Sequence, residues 1–179
     1  VPMFGGVDKV LQDLHSMLRA EDIKNLSGAD ALVLSVANLG PYELARTEKS
    51  SEGIVVLFAH SFLTYPEPIA AAVFAHEGFH VKQILEMKEG DEIGAHNHDD
   101  LENGALDYEY AFLESLEKKD NTTFTMKEGM RHRKKSIESM KKMMGMFSMF
   151  GKCRFNTPDL LEKLNSASLN IKKEKSFWS

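Results

Sequence analysis

His76-Glu77-Gly78-Phe79-His80 sets two imidazoles four residues apart, with a carboxylate directly after the first. On an α-helix, residues four apart share a face, so His76 and His80 point the same way and can hold one metal ion between them. Glu77 lies about 100° round the helix from His76, within reach of a water on that ion. Two neutral imidazoles suit zinc, and a water on zinc needs a nearby base to become a nucleophile near neutral pH. The chemistry expected here is hydrolysis, with His76 and His80 as ligands to Zn2+ and Glu77 as general base.

The flanking sequence supplies the elements that would position these groups. Ile54-Val55-Val56-Leu57-Phe58 is an apolar, β-branched run that reads as a buried strand. Thr64-Tyr65-Pro66-Glu67-Pro68 is a helix-start signal: Thr64 can cap, Pro66 fits the first turn and Glu67 faces the positive end of the dipole. From Ile69 to Met87 there is no Pro and no Gly except Gly78, and the first half is apolar all round, as in a core helix. The competing reading of the two histidines, a pair of hydrogen-bonded core imidazoles, gives no role to Glu77.

Catalytic zinc usually keeps three protein ligands and one open position. The continuation His80-Val81-Lys82-Gln83-Ile84-Leu85-Glu86 lacks the Gly and third His of HExxHxxGxxH, which excludes the metzincins. A polar segment, Glu89 to Asp100, leads into a second amphipathic helix running from Asp100 to Leu113, then in charge to Asp120. Glu102, Asp107, Glu109, His96 and His98 all lie where a third ligand could come from. Glu102 also has a structural reading, as the last member of a capping box begun by Asp99.

Residues 54–114 resemble the gluzincin branch of the zincin metallopeptidases. The resemblance rests on the HExxH helix and on Glu102-Asn103-Gly104-Ala105, followed by Tyr108, Tyr110 and Phe112. It implies a zincin-like α+β fold, helix-rich with a small N-terminal β-sheet, and His76, His80 and Glu102 as zinc ligands with Glu77 as base. It also implies an oxyanion donor, for which Tyr108, Tyr110, His96, His98 and His132 are the candidates. Extended peptide would bind along a sheet edge near Val55 to Ser61. The sequence departs from the pattern at Leu106, where many gluzincins place an Asp that orients a ligand His; Asp107, one further on, is the substitute by another route.

The remaining sequence bounds these expectations. At 179 residues the chain reads as one domain: 1–65 a helix and small sheet, 66–118 the zinc-site helices, 119–170 C-terminal helices and 171–179 a tail. Hydrophobic residues make up 42% and charged residues 27%, ordinary for a water-soluble domain, and the net charge of −5 discourages a nucleic-acid partner. One cysteine, Cys153, excludes an internal disulfide, and no stretch reaches transmembrane length. The chain begins with Val1, which reads as a processed or truncated product and leaves the compartment open, secretion included.

Leucines and valines at helical spacing predict a helix over about 7–20, and Ala31 to Val36 a strand. Glu43 to Glu52 reads as a loop or short strand. His15 reads as a surface or packing residue, and His60, at the end of the strand and nearer the cleft, as packing or substrate contact rather than a metal ligand. Thr125 to Phe147 reads as a long helix whose basic run, Arg131-His132-Arg133-Lys134-Lys135, forms a solvated face, with docking to an acidic partner or membrane surface as the alternative. The methionines from Met140 to Met149 read as core, and Thr157-Pro158-Asp159 starts a short last helix.

Three classes of function follow: a small zinc metallopeptidase acting on a peptide or protein substrate, a zinc amidase acting on a non-protein or cell-wall amide, and a non-catalytic zinc-binding interaction module. Glu77 favours the first two, because a purely structural zinc has no use for that carboxylate.

Overall fold

The computed structural model describes residues 1–29, 32–40, 43–87, 97–119 and 121–147, with side chains described as far as 144. Cys153, Trp178, His96, the short last helix, the tail and the later methionines of the cluster lie outside the described residues. The architecture is α+β and helix-rich. Helices α1 (Val7–Leu14) and α2 (Ala20–Ser27) precede β1 (Leu32–Ala37), β2 (Ala45–Ser50) and β3 (Gly53–Ala59). A 3-10 turn, His60–Thr64, leads into α3 (Glu67–Glu86), α4 (His98–Glu117) and α5 (Phe124–Phe147).

The helix expected over 7–20 ends at Leu14, and a second helix, α2, begins at Ala20. The carboxylate of Asp22, wholly buried, accepts from the Arg19 backbone N–H at 2.8 Å and from its guanidinium at 3.0 Å, which opens α2 at Ala20. A hydrophobic period cannot register such a start. Thr64 does not cap α3: its hydroxyl donates back to the Ser61 carbonyl within the 3-10 turn, and Pro66 stands at the helix N-cap.

The strand order is β1-β3-β2, with β1 parallel and β2 antiparallel to β3. Polar Glu43 to Glu52 thus contains strand β2, paired from Ala45↔Phe58 to Ser50↔Gly53. β3 is central and paired on both edges, so the anticipated open edge near Val55 does not exist. β2 is an outer strand instead.

Alternation along β3 sends Ile54, Val56 and Phe58 into the helical core, and Val55 and Leu57 to the opposite face with Ala37. The main core lies between that first face and α3. Pro68 through Gly78 is buried without a break, and Phe58, Phe62 and Phe74 cluster with ring centroids 4.6–5.2 Å apart. α3 packs against α2, α4, α5 and β2, with its last turn partly exposed. Gly78 allows the approach of α2: a Cβ there would stand 3.2 Å from the Leu26 Cγ and 3.4 Å from the Asn25 Cβ.

Candidate metal centre

The face of α3 that carries His76 and His80 is met by the first turns of α4, which begins at His98 rather than Asp100. The capping-box reading of Glu102 does not hold. Asn97 is the N-cap, without a side-chain cap bond, and the Glu102 carboxylate turns to the imidazoles. Its Oε1 is 3.1 Å from His76 Nε2 and its Oε2 is 3.0 Å from His80 Nε2, while the two Nε2 atoms are 3.1 Å apart. His76, His80 and Glu102 form a group that could hold a metal ion, with one donor atom from each inside a 4.8 Å span. Ligand atoms of a tetrahedral zinc site with bonds of about 2.0–2.1 Å stand about 3.3 Å apart, so the spacing fits.

The surrounding hydrogen bonds explain why the three groups want a cation. His76 Nδ1 is 2.9 Å from Oε2 of Glu109, a carboxylate with no exposed surface. His80 Nδ1 is 2.8 Å from Gln83 Oε1. Both neighbours are acceptors, so both Nδ1 atoms carry the hydrogen and both Nε2 atoms present a bare lone pair. Two lone pairs and a carboxylate then converge with no donor between them. A metal ion, or a proton in its absence, resolves that repulsion.

The electrostatics agree. Burial alone would depress the His76 imidazole, but hydrogen bonds to Glu102 and Glu109 overcome it and hold its pKa well above the ordinary range. Burial pushes the Glu102 carboxyl up, yet the two imidazoles outweigh it and hold Glu102 well below the usual carboxylate range. Glu109, likewise penalised by burial, is held low by His76 and Arg133.

Glu109 takes the orienting role that Asp107 was expected to fill. It lies seven residues after Glu102, two turns along the same face of α4. Asp107 points outward and pairs with Lys141. Behind Glu109 stands Arg133 of α5, whose Nε donates at 2.6 Å and Nη2 at 3.1 Å. Arg133 therefore leaves the basic run that reads as solvated; Arg131, His132 and Lys135 are exposed, while Lys134 pairs with Glu117. The signal that could have found Arg133 is its phase, four residues before buried Ile137.

Glu77 is buried beside the two histidines. Thr47 of β2 donates from Oγ1 to Glu77 Oε2 at 2.5 Å, and burial raises the Glu77 pKa against the pull of His76 and His80. Its other oxygen has no hydrogen-bond partner among the described residues. A cavity of about 300 Å³ opens over the group, lined by Thr47, His76, Glu77, His80, Glu102 and Arg133 among others.

The oxyanion candidates separate clearly. Tyr108 donates to Asp22 and stacks on Phe79 at 4.6 Å, engaged with α2. Tyr110 bonds Glu138, and His132 is exposed. Among the described candidates only His98 lines the cavity. His15 is exposed, in keeping with a surface residue, and His60 is exposed too rather than packed.

No family of known proteins, no curated protein and no solved structure matches this chain. Among the described residues no helix is long and apolar enough to cross a membrane.

Proposed function

We propose that this chain is a metal-dependent hydrolase of the zincin type, acting on peptide bonds, with Zn2+ held by His76, His80 and Glu102. The observation that carries the reading is the pairing of three convergent donor atoms with a buried carboxylate, Glu77, on the same cavity. A structural zinc site needs the first and has no use for the second. A zinc ion held there would lower the pKa of a coordinated water and polarise the scissile carbonyl.

The chain's own residues have definable parts. Glu77, with its pKa raised by burial and one oxygen fixed by Thr47, accepts a proton from water and returns it to the leaving amine. His98 and Arg133, both in the cavity lining, are candidate donors to a developing oxyanion. The outer strand β2 contributes Ala45, Arg46 and Thr47 to the cavity wall, with Leu44 just before it, which suits an extended peptide laid alongside it. A zinc amidase on a non-protein amide would use the same residues, so the substrate panel must include both amide classes.

The test is zinc content and cleavage, measured on the chain and on Glu77→Gln. Zinc near one per chain in both, with cleavage only by the unmodified protein, is expected. Equal cleavage by Glu77→Gln would remove the base assignment. No cleavage of any amide by the zinc-loaded protein would return the centre to a binding role.

A further inference from the structure

Gln83 stands three residues after His80 on α3, and its amide has two partners. Its Nε2 lies 3.0 Å from the Leu101 carbonyl oxygen, and its Oε1 lies 2.8 Å from His80 Nδ1. The two ends of an amide are not equivalent. The Leu101 carbonyl can only accept, so it must face the NH2 group. That choice aims Oε1 at His80, and because Oε1 only accepts, His80 must carry its hydrogen on Nδ1. The backbone of α4 thereby selects the tautomer of a side chain on α3. Leu101 also immediately precedes Glu102, so the same amide ties the strand of backbone that presents the third ligand.

Gly104 is what makes room. A Cβ at that position would lie 3.0 Å from Gln83 Nε2 and 3.5 Å from Phe79 Cε1. A Cβ there would press the amide by a few tenths of an ångström, straining its bond to Leu101. The residue that follows the Glu102 turn is thus open for the same contact that orients His80.

We infer that Gln83 is a positioning residue: it makes Nε2 the metal-facing nitrogen of His80 and holds Glu102 in register with it, through the opening left by Gly104. This rests on the three-residue metal centre and is independent of whether the chain hydrolyses anything.

The experiment is zinc competition against a chelator on the full chain and on Gln83→Leu, Gln83→Glu and Gly104→Ala. Beside it, nitrogen-15 NMR of the histidine rings in the zinc-free proteins reads the tautomer of His80. Gln83→Leu should weaken zinc about 10–100-fold, the usual cost of losing a partner behind a metal ligand, and should lose the Nδ1–H signature. Gln83→Glu keeps an acceptor for His80 but cannot donate to Leu101, so it should keep the signature and still bind less tightly. Gly104→Ala disturbs the contact from the other side with Gln83 intact; it should weaken zinc, and add little when combined with Gln83→Leu.

Zinc affinity within about twofold in Gln83→Leu, or an unchanged His80 signature, would overturn the inference. So would effects of Gly104→Ala and Gln83→Leu that multiply. Failure of the unmodified chain to bind zinc would overturn it together with the centre, whereas zinc binding without cleavage would sink only the hydrolase reading.

Discussion

Glu109→Gln is the most informative single perturbation. Glu109 is buried completely, takes two hydrogen bonds from Arg133, and accepts from His76 Nδ1. The variant is nearly isosteric, so it leaves no cavity. It leaves the Arg133 guanidinium, with only 16% of its side chain exposed, without its paired carboxylate and with Glu102 as the remaining negative charge nearby. Removing one partner of a buried ion pair costs about 3–5 kcal/mol. Arg133 reaches the cavity, where water relieves part of the burden, so the lower end, about 3 kcal/mol, is expected. In a chain of this size that is a fall in melting temperature of roughly 6–12 °C. The new amide can also turn its NH2 towards His76 and force the hydrogen to Nε2, where it blocks the ligand position. Zinc affinity should drop about 10–100-fold. Thermal melts of the zinc-free protein and chelator competition read the two effects separately. Arg133→Gln and the double variant complete a cycle, in which the double variant should fall short of the sum by about 0.5–3 kcal/mol. Additive losses, with zinc affinity unchanged in Glu109→Gln, would refute the relay from Arg133 through Glu109 to His76.

Two further outcomes are expected. In the zinc-free protein His76 has its pKa raised above the ordinary 6.5 by Glu102 and Glu109, so its contribution to stability is complete below that value and is lost as pH rises through the raised one. Protons also compete with zinc at the same nitrogen, so the gap in melting temperature between zinc-loaded and zinc-free protein should widen from about pH 6 to about pH 8; a gap that narrows contradicts the proton-for-metal exchange. Gly78→Ala gains about 0.5–1 kcal/mol of helix propensity but forces Leu26 and Asn25 outward, at the usual overpacking cost of about 1–3 kcal/mol. Net destabilisation in denaturant is expected, and a more stable variant would show that α2 yields freely.

What the sequence discloses about the centre is what one helix turn can encode. His76, Glu77 and His80 share a turn, and Glu102 falls where the next amphipathic helix begins, so these four were readable. Glu109 was open to reading as a ligand, but its role behind His76 depends on the two helices packing at one particular rotation. Arg133 and Thr47 come from α5 and β2, and no spacing rule connects them to α3. Gln83 carries no chemical signature of its own; its importance lies in the Leu101 carbonyl opposite it. The same limit explains β2. Its polar composition, Ala45-Arg46-Thr47-Glu48-Lys49-Ser50, hides a strand that pairs only because β3 lies beside it. The start of α2 is hidden for a related reason, because the acceptor for the Arg19 N–H is a side chain and not a periodicity.

The two imidazoles on α3 and the carboxylate on α4 that could hold a metal ion are separated by only 22 residues of chain, His80 to Glu102. In kinetic terms that makes the centre a short-range closure. The histidine pair forms as soon as its own helix turn forms, and Glu102 needs only a small loop to close, a modest entropic cost. The β1–β3 pairing spans the same separation, Leu32 to Ile54, but must fix six residue pairs in register rather than one contact. An ion captured early would therefore fasten α3 to α4 before the strands assemble.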